Sequence, residues 1–62
     1  MSITKKIRSY IDENGIKIMA ISKKTGIKYA ALRSALSDER NLTIEEYVSV
    51  CNALDVPVTR FI

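Results

Sequence analysis

The chain has no histidine, no tryptophan and a single cysteine, Cys51, and these shortages narrow its chemistry at once. No acid–base pair or nucleophile constellation can be assembled from what remains, so an enzyme is not expected. Cys51 sits inside an apolar pattern and reads as a small core residue. One cysteine cannot form an internal disulfide, which suits a reducing cytoplasm better than secretion. Long apolar runs are missing too. No segment approaches the roughly 18 apolar residues of a membrane span, and the opening Met1-Ser2-Ile3-Thr4-Lys5-Lys6 lacks the apolar stretch of a signal peptide. A soluble, cytoplasmic protein is expected, with no membrane partner. There is no internal repeat, no low-complexity tract and no alternating strand pattern.

What is there is small and helical in pattern. Sixty-two residues make a single domain, 1–62, and a chain of this size buries only about 60% of its unfolded surface. An enclosed cavity of ligand size is not expected, nor a cofactor, a bound metal or a small-molecule ligand. The net charge of +3 is unevenly spread. Residues 1–40 carry nine Lys/Arg against four Asp/Glu, whereas residues 41–62 carry one against three. A basic front and an acidic back suit an oriented contact with a polyanion, although a merely soluble surface would look similar.

Ile3, Ile7 and Ile11, with Tyr10 beside them, predict a first helix from Ile3 to about Glu13, capped by Ser2 and ended by Asn14-Gly15. A second helix is predicted over about Ile18 to Lys24 with Ile21 inward, broken by Thr25-Gly26. A third runs from Lys28 or Tyr29 to Leu36, with Leu32, Ala35 and Leu36 as core. Ile27 should plug the gap between them, and Met19 should be half-buried packing. After the polar loop Asp38-Glu39-Arg40-Asn41, Thr43-Ile44-Glu45-Glu46 has the form of a capping box. Ile44, Tyr47, Val48, Cys51 and Leu54 then mark one face of a fourth helix. Pro57 suits the first turn of a last short helix. The fold expected is all-α: a compact four- to five-helix bundle with connections of two to six residues.

The stretch Ile18 to Leu36 places two short helices across a turn containing Gly26, with the small Ser22 four residues before it. Ile21, Ile27 and Leu32 pin the pair. This is the helix-turn-helix layout. Over Gly15 to Ile62 the sequence resembles the Cro/phage-repressor (lambda repressor-like, XRE-type) class. The resemblance rests on Lys-Lys-Thr-Gly-Ile at 23–27, Leu32, Arg40-Asn41, Thr43-x-x-Glu46, Cys-Asn-Ala-Leu-Asp-Val at 51–56 and the closing Pro-Val-Thr-Arg-Phe-Ile. It implies a bundle of the lambda repressor-like type, with the third helix entering the major groove of duplex DNA. Tyr29, Ala30, Arg33 and Ser34 would then face base edges, and Lys28, Ser37 and Arg40 would lie near phosphates. The helical wheel agrees independently for Tyr29, Ala30, Arg33 and Ser37, which must point away from a core made by Leu32, Ala35 and Leu36.

Departures from the family pattern are specific. Ile18 stands where Gln often contacts a phosphate, so only its backbone N–H could serve. Asp38-Glu39 replaces a frequent Gly-Lys, and Asp55 replaces a frequent Gly. Lys17 and Lys28 occupy helix starts where Ser or Thr caps are common. A missing cap costs roughly 1 kcal/mol, which makes better sense if a phosphate supplies the absent anion; the alternative is a cap one residue earlier. Tyr29 could meet a base or cover the first helix. Arg33 suits bidentate reading of guanine.

The function expected is sequence-specific binding of operator DNA by a transcriptional regulator, a repressor or Cro-like protein. The chain would act as a weak two-fold homodimer through Val56, Val58, Phe61 and Ile62, with closure of the monomer core as the competing role for Phe61 and Ile62. The alternative keeps the fold but binds a protein, as an antirepressor or antitoxin-like module. Ile18, Asp38 and Glu39 favour that alternative; Arg33, Lys17 and Lys28 oppose it.

Overall fold

Ser2, in extended conformation, caps the first helix, and its hydroxyl accepts the Lys5 N–H at 3.2 Å. From that cap the computed structural model, which describes residues 2–62, runs through four helices: α1 (Ile3–Glu13), α2 (Ile18–Thr25), α3 (Tyr29–Leu36) and α4 (Ile44–Leu54). No strand occurs among the described residues. The connections are four, three and seven residues long, so the last exceeds the two to six expected. The body is nearly isometric, 23 × 22 × 22 Å.

Three helices end by the same device, with the residue beyond the last turn in the left-handed region and two amides folding back onto orphan carbonyls. At α1 this residue is Gly15, φ +64°, and Ile16 N–H reaches Ile11 O at 2.9 Å. At α3 and α4 the same position is held by Asp38, φ +61°, and Asp55, φ +59°. Glu39 N–H reaches Ser34 O, and Val56 N–H reaches Cys51 O. Asp38 and Asp55 therefore sit where a glycine would carry no Cβ strain. The Asp38 carboxylate also accepts from the Thr4 hydroxyl, tying the end of α3 to the start of α1.

The core is Ile7 and Ile11 from α1, Ile21 from α2, Leu32, Ala35 and Leu36 from α3, Val50 and Cys51 from α4, and Phe61. α2 packs on both α3 and α4, and α1 packs on α3. Ile27 lies half-buried against this core, between α2 and α3. The expected face of α4 is corrected in part. Tyr47, Cys51 and Leu54 do point inward, but Ile44 is 79% exposed and Val48 faces outward, while Val50 is fully buried. Spacing of three, four and seven residues from Tyr47 describes this stripe; starting it from Ile44 rotates it by about 60° around the helix axis.

The expected fifth helix is absent. Residues 57–62 form successive turns, with Arg60 N–H on Pro57 O and Ile62 N–H on Thr59 O. Six residues are too few to nucleate a stable helix of their own, and two side-chain contacts hold them otherwise. The Tyr47 hydroxyl donates to Val58 O, and Phe61 meets Tyr10 edge-on with ring centroids 5.6 Å apart. The Arg60 guanidinium covers both rings, at 5.1 and 5.4 Å. Phe61, expected as either a dimer residue or a core residue, is 1% exposed and belongs to the core. The dimer assignment for it is thereby corrected: a side chain already enclosed by its own chain has no apolar surface left to offer.

Candidate nucleic-acid interface

The turn between α2 and α3 is locked by side chains that a short polar linker would not ordinarily supply. Gly26, at φ +79°, carries its N–H to Ser22 O at 2.9 Å. The Ser22 hydroxyl donates to Ile27 O across the turn, which explains why this position is small and polar. The Thr25 hydroxyl donates to Ile21 O at 2.9 Å and accepts the Ile27 N–H at 3.2 Å. The Ser22 and Thr25 hydroxyls are therefore both engaged across the bend, tying the end of α2 to the residues that lead into α3.

With Leu32, Ala35 and Leu36 buried, α3 turns Tyr29, Ala30, Arg33 and Ser37 to solvent, while Ser34 lies half-buried at the edge of that row. Tyr29 is 41% exposed. Two ion pairs occur among the described residues, Arg8–Asp12 and Arg40–Glu46. Arg33, Lys17 and Lys28 thus carry uncompensated charge. Lys17 and Lys28 are themselves the N-caps of α2 and α3. Neither makes a side-chain cap hydrogen bond, and neither helix has an acidic residue in its first turn. The alternative of a cap one residue earlier is excluded. Both helix starts leave amide N–H groups without a side-chain acceptor, and a lysine rather than an anionic or hydroxyl residue occupies each cap. Ile18 follows Lys17 as the first residue of α2, half-buried and packed against the core.

Arg40 is the residue whose expected role is overturned. Its guanidinium is consumed inside the protein: Nε donates to Ala31 O at 3.1 Å, and one terminal nitrogen to Asn41 O at 3.0 Å. The two terminal nitrogens also grip both oxygens of Glu46, at 2.9 and 2.8 Å. Glu46 in turn accepts the Thr43 N–H at 3.0 Å while Thr43 caps Glu46 N–H, which completes the capping box. The Arg40 hydrogen bonds, then that from the Thr43 backbone, hold the Glu46 carboxyl down at about 2. Arg40 is raised by the same partner. A guanidinium engaged on nearly all its donors is not available to a phosphate. Its work is to fasten the middle of α3 to the start of α4, giving the exposed row of α3 a rigid seat.

Met19, expected half-buried, is 46% exposed beside α3's first turn. It lines a concavity of about 370 Å³ with Arg8, Ile11, Asp12, Ile16, Lys17, Ile18 and Tyr29. Arg8 escaped the sequence reading, because on α1 it appears only as one of several outward charges. A second, open cleft of about 490 Å³ has an apolar lining that includes Ile3, Leu42, Ile44, Tyr47 and Ile62. Val48 and Val58 are exposed apolar side chains as well. Of the expected dimer residues, Val58 and Ile62 are exposed and Val56 is half-buried. No group of three or more metal-ligating side chains occurs among the described residues, and no helix is long and apolar enough to cross a membrane. Comparison of the chain with protein-family models, with curated proteins and with solved structures finds no match.

Proposed function

We propose that the chain is a helix-turn-helix module of the Cro/phage-repressor, lambda repressor-like type, a cytoplasmic transcriptional regulator that binds a two-fold operator. α3 enters the major groove, Tyr29, Ala30, Arg33 and Ser34 meet base edges, and Lys17, Lys28 and the amides at Ile18 lie along the phosphates with Ser37. The observation that carries this reading is the state of Arg33. It is an exposed cation without an acidic partner, on a helix whose turn is locked before it and whose Ala31 carbonyl is fastened by Arg40. A planar guanidinium presented in that way matches the two acceptors of guanine in the groove.

Pairing follows from the size of one module, which reads about one half-site. The apolar surface around Val58 and Ile62, widened by Ile3, Ile44 and Val48, is the contact assigned to a weak homodimer. That same surface favours the second reading, in which the module docks a different protein as an antirepressor or antitoxin-like partner. No enzymatic role is proposed.

Binding of labelled duplex taken from beside the protein's own gene tests the assignment. Arg33→Ala should lose about 1–3 kcal/mol on the operator and relax preference at one base pair of each half-site. Lys17→Ala should weaken all sequences alike and lower the salt slope by about one unit. Absence of any sequence preference across salt concentrations would overturn the DNA reading in favour of the protein-binding one.

A further inference from the structure

The concavity between α1, α2 and α3 brings together groups that are far apart in sequence. Arg8 and Asp12 come from one turn of α1, Ile16 and Lys17 from the linker, Ile18 and Met19 from the start of α2, and Tyr29 from the start of α3. Chemically it has two cations, Arg8 and Lys17, and between the helices an apolar wall that includes the partly exposed Met19 and Tyr29. The sugar–phosphate strand of a nucleic acid has the complementary alternation, anionic phosphates joined by apolar deoxyribose edges.

We propose that this concavity is a seat for one stretch of the duplex backbone, with Arg8 and Lys17 each holding a phosphate and Met19 and Tyr29 lying against the sugar between. The proposal rests on the DNA reading above and adds to it a residue, a helix and a boundary: α1 grips the strand that α2 and α3 approach. Arg8 is free to do so. Its one acidic neighbour is Asp12, four residues on, at 4.0 Å, the outer limit of an ion pair, with the two side chains 44% and 70% exposed. An exposed pair of that kind holds its partners weakly, and a bidentate phosphate contact replaces it with a stronger charge-assisted one. Asp12 becomes the group that Arg8 leaves on binding, and its own charge opposes the incoming strand.

The seat also divides the work of Tyr29. One edge of the ring lies along the backbone while the other faces the outermost base edge, and Arg33, one turn further along α3, reaches deepest toward the bases.

The test is the salt dependence of binding to a random-sequence 20-base-pair duplex, compared among the parent protein, Arg8→Gln, Asp12→Asn and Lys6→Gln. Lys6 carries the same charge but projects from the opposite side of α1. Arg8→Gln should lower the slope of log K against log salt by about 0.9. Between 50 and 200 mM salt it should therefore lose about threefold less affinity than the parent does. Asp12→Asn should bind more tightly than the parent at low salt, and Lys6→Gln should keep the parental slope. Matching far-UV spectra for the variants show that the fold is intact. If the parent binds duplex but Arg8→Gln keeps its slope, the seat is refuted while the DNA reading stands. An equal loss of slope in Lys6→Gln refutes it as well, since net charge alone would then explain the effect. If the parent binds no duplex at all, the DNA reading itself fails and the seat with it.

Discussion

Phe61 and Ile62 are adjacent, equally apolar and placed in opposite environments, 1% and 77% exposed. Substituting each in turn gives a sharp test of the packing described. Phe61 fills the space between α1 and the closing turns, and its ring edge meets Tyr10 at an interplanar angle of 79°. Truncating a buried Phe to Ala costs about 3–5 kcal/mol through lost transfer energy and the cavity left behind. Loss of the aromatic pair adds to this by about 0.5–1.5 kcal/mol. A domain of 62 residues has a total stability of about 3–9 kcal/mol at typical values per residue. Phe61→Ala should therefore leave the chain marginal or unfolded at 25 °C. The gentler Phe61→Leu should cost about 1–2 kcal/mol and lower Tm by about 5–15 °C. Ile62→Ser should stay within about 0.5 kcal/mol of the parent, a shift of no more than about 4 °C. Thermal melts followed by circular dichroism at low micromolar protein, with urea titrations alongside, measure all three. Low concentration keeps association from adding to apparent stability. A parental Tm in Phe61→Leu would show that the ring is not enclosed. A collapse in Ile62→Ser matching that of Phe61→Ala would assign Ile62 to the core and remove it from any docking surface.

Three further outcomes follow from local chemistry. Glu46, depressed to about 2 by Arg40 and the Thr43 backbone, contributes stability that is fully present above the ordinary carboxylate value and is lost as pH falls through the folded one. Glu46→Gln should accordingly be less stable than the parent at pH 7, with the difference shrinking between about pH 4.5 and 2 in urea titrations; a constant difference across that window would refute the assignment. Asp55, at φ +59° and ψ +43° with no side-chain hydrogen bond to any described residue, should be improved by Asp55→Gly by about 0.5 kcal/mol, or about 2–4 °C in Tm. Asp38→Gly should gain less, because it forfeits the hydrogen bond from Thr4; a loss of stability in Asp55→Gly would mean that the carboxylate has a favourable role at the end of α4.

Much of this architecture is legible in the sequence because its causes are local. Ser2, Gly15, Gly26 and the Thr43–Glu46 box act within a few residues of themselves, so they place both ends of α1, the end of α2 and the start of α4 to within a residue or two. The row Leu32, Ala35 and Leu36 likewise forces Tyr29, Ala30 and Arg33 outward, since a helix has only one buried face. Where the sequence misleads, two local patterns compete and a distant contact decides. On α4, Ile44 and Val48 fit a helical stripe as well as Tyr47 and Val50 do, and only the position of α2 selects the second. Pro57 is as compatible with a turn as with a helix start, and the Tyr47 hydroxyl and the Tyr10 ring settle it.

The same division runs through the candidate interface. Helix order, caps and the outward row of α3 follow from the chain's own periodicity, which is set by backbone geometry over three to four residues. That Arg40 is taken up by Glu46 and Ala31, while Arg33 stays free, depends on the α3–α4 loop bringing one of two chemically identical guanidinium groups back over α3. Arg8 joins Lys17 and Tyr29 only because α1 packs across the start of α3. Such pairings are made between elements, by burial and distance, and the one-dimensional order of the residues does not encode them in any local signal.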